Sequence, residues 1–279
     1  MFENILGNKD AKDYLLASLN NDNISHSYLF LGNDGIGKKL IALEYAKNIL
    51  DVDNLETCVD FKIITKLKDK KNITVEQVRE NILRDIYTAP VSNDKKVYII
   101  DGFETLNLSG QNALLKTLEE PPEYVVLIII SNNISNIIPT IISRVNILKF
   151  FKLDINDMKQ YVLDNSLNIS ENILSYIDGS IGKLNDFLDL NIMDNLKYID
   201  ELYNYIGTKQ YINCVSVLEN IDFRLEYNFN YFIYLMYINN KNLCVNICQK
   251  SFNNLKNNGN YDIVIDNMII KCIDSINCD

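Results

Sequence analysis

The sequence is poor in the residues on which metal-binding, secreted and membrane proteins depend. His26 is its single histidine, and its six cysteines (Cys58, Cys214, Cys244, Cys248, Cys272 and Cys278) contain no Cys-x-x-Cys pair. A structural zinc site needs about four clustered soft ligands, so no zinc is expected, and buried, reduced thiols are the better reading. Long apolar runs are missing too. The longest, such as Val125 to Ile130, fall far short of the roughly 20 residues that cross a bilayer. The opening stretch MFENILGNKDAKDYLLASLN carries early acids and no basic-then-apolar run, so no secretory signal is read there and the cytoplasm is the expected compartment. Basic residues are also in deficit: 27 Lys and Arg stand against 37 Asp and Glu, a net charge of −10. That argues against a free-standing DNA-coating protein, which is normally basic. Contact with nucleic acid then requires a local patch or partners that supply the charge.

What is present suffices for two modest domains: 279 residues, 47% of them hydrophobic. The first half alternates strand-like runs, Tyr28–Leu31, Phe61–Thr65, Val97–Ile100, Val125–Ile130 and Val145–Phe150, with segments of helical spacing. Leu40, Leu43, Ala46 and Lys47 form one such segment; Val75, Val78, Ile82 and Leu83 a second; Leu114, Leu115 and Leu118 a third. The alternation predicts an α/β domain with a parallel sheet and ligands at the carboxyl ends of its strands. After Phe151 short amphipathic helices take over. Ile155, Met158, Tyr161 and Val162 share one face, and a helix capped by Ser170 ends at Asp178-Gly179. The expected domains are 1–151 (α/β), 152–190 (a small helical lid) and 191–279 (an all-helical module).

The stretch FLGNDGIGKKLIALEYAK, Phe30 to Lys47, is nearly a phosphate-binding loop. Gly32 opens the pattern and Gly37-Lys38 closes it, but Lys39 holds the place of the Ser or Thr. A strand enters and a helix leaves, so backbone N–H groups and the helix N-terminus could face phosphate oxygens, with Lys38 reaching the outer phosphates. The missing hydroxyl normally ligates Mg²⁺, and a protonated Lys cannot. In KVYIIDGFETL, a strand ends in Asp101 and Gly102 follows, where an active ATPase of this type has Glu to orient the attacking water. Two departures at chemically linked positions point to lost hydrolysis.

Further motifs carry a family resemblance. SGQNALLKTLEEPPEYVVLIIISNN, Ser109 to Asn133, with its core NALLKTLEEPP, resembles the clamp-loader subunits of the AAA+ ATPases, especially bacterial ones. HSYLFLG, His26 to Gly32, resembles the lead-in to their phosphate loop. ITVEQVREN, Ile73 to Asn81, resembles the helix before their second acidic motif. IPTIISRV, Ile138 to Val145, resembles their Ser-Arg-Cys motif, with Val145 in the Cys place. The order holds across residues 1 to about 190; beyond that only length and helical character agree. Each element also has a plain structural account. NALLKTLEEPP is an amphipathic helix stopped by Pro121-Pro122, and His26 and Arg144 taken alone are a packing residue and a surface charge.

The resemblance implies an AAA+ P-loop domain, a helical lid and a C-terminal collar. Lys39, Asp101-Gly102 and Lys183, near the place of a lid Arg, resemble the delta-prime type of subunit in the DNA polymerase III clamp loader rather than the hydrolysing gamma/tau type, which is the alternative reading. A zinc module that delta-prime subunits often carry is absent from the slot Leu50 to Phe61, which holds only Cys58. By that resemblance the chain lacks ATPase activity of its own but works within the polymerase holoenzyme. Its expected partners are gamma/tau and delta subunits, the sliding clamp and primer–template DNA, with no membrane. Its degenerate nucleotide site comprises Gly32, Gly35, Gly37, Lys38, Lys39, Asp101 and Asn132. No cofactor is required, and whether ATP or ADP still binds stays open. Ser143-Arg144 would serve a neighbour's ATP in trans, and Thr74 and Arg79 would contact DNA phosphates.

Overall fold

A computed structural model describes every residue except 1, 3, 4, 68–71, 191 and 276–279; Cys278 therefore lies outside the described residues. The chain forms two compact units, Met1–Asp154 with Ser180–Gly182, and Ile155–Gly179 with Lys183–Asp279.

The first unit is built on five parallel strands, β1 (Ser27–Leu31), β2 (Phe61–Ile64), β3 (Lys96–Asp101), β4 (Val125–Ser131) and β5 (Asn146–Lys149), in the order β2-β3-β4-β1-β5. All five match the expected strand runs. β4 is buried along its whole length. Val126, Ile128 and Ile130 face one apolar cluster, and Val125, Leu127 and Ile129 face the other. A parallel strand covered on both faces needs such an unbroken apolar run.

One cluster packs under helices α1 (Lys9–Asn20) and α2 (Lys38–Leu50). The other packs under α3 (Val75–Val78), the π-helical turn that continues it (Arg79–Leu83), α4 (Leu108–Ala113), α5 (Leu115–Glu119) and α6 (Pro139–Ile142). In α2 the expected face is one residue out of phase. Ile41, Ala42, Tyr45, Ala46 and Leu50 are buried, and Leu40 is exposed. Tyr45 sets the phase, because its hydroxyl shares hydrogen bonds with Ser18 (2.7 Å) and Tyr28 (2.9 Å) inside the core.

The second unit contains α7 (Ile155–Asp164), α8 (Glu171–Ile177), most of α9 (Ile181–Asp189), α10 (Ile192–Gly207), α11 (Tyr211–Leu218), α12 (Glu226–Ile238), α13 (Asn242–Lys256) and α14 (Tyr261–Ser275). Ser170 caps α8 as expected, accepting from the Ile173 N–H, and Asp178 ends the helix in the left-handed region. The segments expected as separate lid and collar domains belong here to one unit. Ser170 Oγ and Tyr231 OH each donate to Asp200 at 2.6 Å, and the Tyr176 ring packs on Tyr231 and Tyr234. These ties bridge the anticipated boundary at residue 190. Cys214, Cys244, Cys248 and Cys272 are fully buried in this unit. Among the described residues no helix is long and apolar enough to cross a membrane.

A buried charge anchors one edge of the sheet. Lys96, 2% exposed, donates to Asp85 Oδ1 at 2.9 Å, and Lys62 and Tyr98 donate to Asp85 Oδ2 at 2.9 and 2.8 Å. Burial works to raise the Asp85 pKa, but hydrogen bonds from Lys62, Lys96, Tyr98 and Thr88 outweigh it and hold the carboxyl well below its usual range. The folded pKa is depressed, so this stability is present above the unfolded Asp value of about 3.9 and lost as pH falls below it. Asp85→Ala leaves the Lys96 ammonium buried without its partner. It should cost about 2–3 kcal/mol at neutral pH, less than the ~3–5 of a wholly buried pair because Asp85 keeps some exposure. The difference from wild type should shrink at pH 3, and urea unfolding at the two pH values measures both effects.

Candidate functional site

The glycine-rich loop follows β1 and opens α2. Gly35 and Gly37 take positive φ, 74° and 92°, which lets the chain reverse and start the helix at Lys38. Lys38 is almost fully buried. Its ammonium turns back into the loop and donates to the carbonyls of Gly32 and Asn33, 3.9 Å from Asp34. Burial lowers its pKa, while Asp34, Asp101 and Glu104 pull it back up.

Lys39 projects to the end of β3, where its ammonium lies 3.2 Å from Asp101 Oδ2. The residue in the hydroxyl's place thus pairs with the carboxylate that would serve a metal. An ammonium donates hydrogen bonds and cannot ligate Mg²⁺, so these residues do not fit the magnesium ion that an active loop of this type holds. Gly102 follows Asp101 with φ +90°, and a Cβ there would sit 3.3 Å from Lys66 Cε. A Glu in that position would be strained as well as crowded. The carboxylate that is present, Glu104, accepts instead from the Asn132 N–H at 3.3 Å. The Asn132 side chain donates to Asp34 at 3.0 Å.

Gly32, Gly35, Gly37, Lys38, Lys39, Asp101 and Asn132 are therefore brought together at the carboxyl ends of β1, β3 and β4. Several of their side chains and loop carbonyls are paired with one another. A contact that no sequence pattern announces adds to this. The tripeptide Ser180–Gly182 packs with the same unit, where the Gly182 N–H donates to the Gly35 carbonyl at 2.9 Å and Ser180 Oγ to the Asp34 carbonyl at 3.3 Å. A Cβ on Gly182 would lie 2.6 Å from Gly35 Cα, so only glycine permits that approach.

Arg144 is not part of this cluster. The buried Gln111 fixes the chain that leads to it, donating to Asn136 O and accepting from the Ile138 N–H. Pro139 then starts α6, where its missing N–H costs nothing. Arg144 follows α6, and its carbonyl accepts from Ser27 Oγ at 2.8 Å. Ser27 is the first residue of β1, whereas the loop follows the last. Five residues of strand separate the two, about 13 Å at the usual rise per residue. Loop and arginine thus lie at opposite ends of one strand. The guanidinium donates through Nη1 to Thr140 O (2.7 Å) and Ser143 Oγ (3.1 Å), and Nη2 lies 2.9 Å from Glu119 Oε1. Ser143 thereby steadies Arg144 within its own chain.

Thr74 is the N-cap of α3 in a reciprocal capping box with Gln77. Arg79 is exposed at the start of the π-helical turn. Lys183 donates to Tyr176 O at 2.8 Å with its ammonium over the Tyr176 ring, and burial lowers its pKa. Cys58 Sγ donates to Asn93. Among the described residues no group of three or more His, Cys, Asp and Glu is placed to hold a metal ion.

A parallel sheet of this order, with a phosphate-type loop after the first strand and an arginine after the helix that precedes the last, defines a P-loop domain of the AAA+ type. Residues 7–154, just over half of the chain, match the family described as "DNA polymerase III, delta subunit". The chain belongs to this family of clamp-loader proteins. It is 31% identical over 243 residues to the DNA polymerase III subunit gamma of Buchnera aphidicola (strain APS), covering 74% of this chain and 66% of that protein. It is 30% identical over 224 residues to the subunit tau of Bacillus subtilis, covering 74% and 38%. Against the tau/gamma subunit of Haemophilus influenzae it is 28% identical over 263 residues, covering 89% and 37%. The chain thus spans 66% of the first relative and under two fifths of the other two. A DNA polymerase III gamma subunit-related protein from Thermotoga maritima has the same fold, with a TM-score of 0.55 at 15% identity over 94% of this chain and 99% of that one.

The Lys39–Asp101 pair yields a direct test. Both side chains are partly exposed, so the pair contributes at most about 1 kcal/mol, and Lys39→Ala should unfold at nearly the wild-type urea midpoint. With ATP present, adding magnesium should leave the wild-type melting temperature unchanged, because the loop offers an ammonium where the metal's hydroxyl ligand would stand. A magnesium-dependent rise in a thermal-shift assay would show that the metal displaces Lys39.

Proposed function

We propose that this chain is a delta-prime-type subunit of the DNA polymerase III clamp loader, which supports loading of the sliding clamp onto primed DNA without hydrolysing ATP itself. One observation carries the reading: Lys39 stands in the hydroxyl's place and pairs with Asp101 at the metal position, while Arg144 sits at the far end of β1. An arginine that cannot reach its own loop can serve only a nucleotide bound elsewhere, and a neighbouring subunit is the natural holder. Its guanidinium is planar and always charged, so it suits a phosphoryl group that gathers negative charge during transfer. The partners in this reading are gamma/tau and delta subunits, the clamp and primer–template DNA, within the cytoplasm. Thr74 and Arg79 face DNA phosphates, with Arg79 giving a sequence-independent contact. No metal or other cofactor is required, because Lys39 already balances Asp101.

The alternative, an active gamma/tau-like ATPase, has the 28–31% identical relatives in its favour. Lys39 and Gly102 stand against it, since one removes a metal ligand and the other the carboxylate that orients water.

The test is reconstitution of the assembly with purified partner subunits. The chain alone should turn over no ATP above background. In the assembly, Arg144→Ala should reduce hydrolysis at the one site it faces by about 10³–10⁵-fold, so total turnover falls by that site's share and clamp loading slows. Arg144→Lys should rescue poorly, because a point charge does not reproduce the fork. Magnesium-dependent turnover by the isolated chain, abolished by Lys38→Ala, would establish the alternative instead.

A further inference from the structure

Glu119 and Glu120 close the helix in the NALLKTLEEPP stretch, and the role proposed above gives them no task. Glu119 is the last residue of α5, and its Oε1 lies 2.9 Å from Arg144 Nη2. The other two acceptors on this guanidinium, Thr140 O and Ser143 Oγ, are neutral. Among the described residues, Glu119 is the only formal negative charge paired with Arg144.

We propose that Glu119 is a positioning residue for Arg144: it clasps the guanidinium on its own chain and gives it up to a neighbour's phosphate. The proposal rests on reading Arg144 as a group that acts in trans. The physical reason is charge. An arginine assists phosphoryl transfer through its net positive charge, and a carboxylate 2.9 Å away cancels most of that field. Thr140 O and Ser143 Oγ orient the guanidinium without neutralising it, so they can stay engaged when the partner changes. Glu119 cannot, because an anion on one side of the fork opposes the anion arriving at the other. The exchange is feasible because both side chains are partly exposed, 34% for Arg144 and 49% for Glu119. Pairs of that exposure contribute at most a factor of about five, and a nucleotide's phosphates bring more negative charge than one carboxylate. The clasp therefore holds Arg144 while the neighbouring site is not engaged and yields when it is.

The experiment uses the full chain in the reconstituted assembly, with steady-state ATP hydrolysis measured in the absence and presence of clamp and primed DNA. Glu119→Gln keeps the shape and removes the charge. It should raise the unstimulated rate about two- to five-fold and leave the stimulated rate nearly unchanged, so the stimulation ratio falls. Glu119→Asp, which keeps the carboxylate, should restore most of the low unstimulated rate. The double variant E119Q/R144A should match R144A alone, since the clasp acts only through the arginine. An unstimulated rate for E119Q at or below wild type overturns the clasp, as does an increase that persists without Arg144. If Arg144→Ala itself changes nothing, the in-trans reading fails. If Arg144→Ala lowers hydrolysis and Glu119→Gln is inert, only the clasp fails.

Discussion

Strand β1 lies between β4 and β5, and the chemistry of the first unit hangs from its two ends. A five-residue parallel strand has a fixed length and polarity, so whatever its termini hold is kept apart by about 13 Å. The loop and Lys38 follow its carboxyl end, and the Arg144 carbonyl is tied to its first residue through Ser27. The apolar registers with β4 and β5, Leu29 opposite Ile129 and Ile147 for example, prevent the strand from sliding. A single copy of this domain cannot bring its arginine to its own loop. The separation follows from sheet geometry more directly than from any one residue.

At the carboxyl end the phosphate-type loop keeps its turn while its charged groups pair within the chain. Gly35 and Gly37 at positive φ let the chain turn from β1 into α2, and the buried Lys38 donates to loop carbonyls. What changes is where the charges go. Lys38 is directed at loop carbonyls, Lys39 at Asp101, and Asn132 at Asp34. Gly182 supplies a further N–H to the loop backbone. Each is a modest interaction, and each pairs a side chain or a loop carbonyl within the chain itself.

Much of the fold is legible in the sequence, because the features that encode it are local. Five β-branched runs became five strands, Ser170 became a cap, and Asp178-Gly179 became a helix end. The departures of Lys39 and Gly102 from an active loop's pattern are visible in the sequence, but the Lys39–Asp101 pair they lead to is not. Other features are legible only in three dimensions. Leu40 looks like a core residue until Tyr45, held by Ser18 and Tyr28, sets the phase of α2. The boundary expected at 190 dissolves because Asp200 and Tyr231 reach back to Ser170 and Tyr176, contacts of about thirty residues or more in separation. Glu119 reads as a helix end, and the arginine it meets lies 25 positions further on.

Two ion pairs in the first unit are built for different ends, and burial decides which. Lys96 is almost wholly inside, and Asp85 binds it together with Lys62 and Tyr98. Removing Asp85 strands the Lys96 charge in low dielectric, a loss of about 2–3 kcal/mol, so this pair serves the fold. Arg144 and Glu119 meet at the surface, where water shares the work and the net contribution is about 1 kcal/mol or less. A pair that weak contributes little to the fold and can change partners at little cost. A buried Arg144 would bind its carboxylate too firmly to leave. An unpaired one would present its charge to any anion. Intermediate exposure gives a guanidinium that is held but exchangeable.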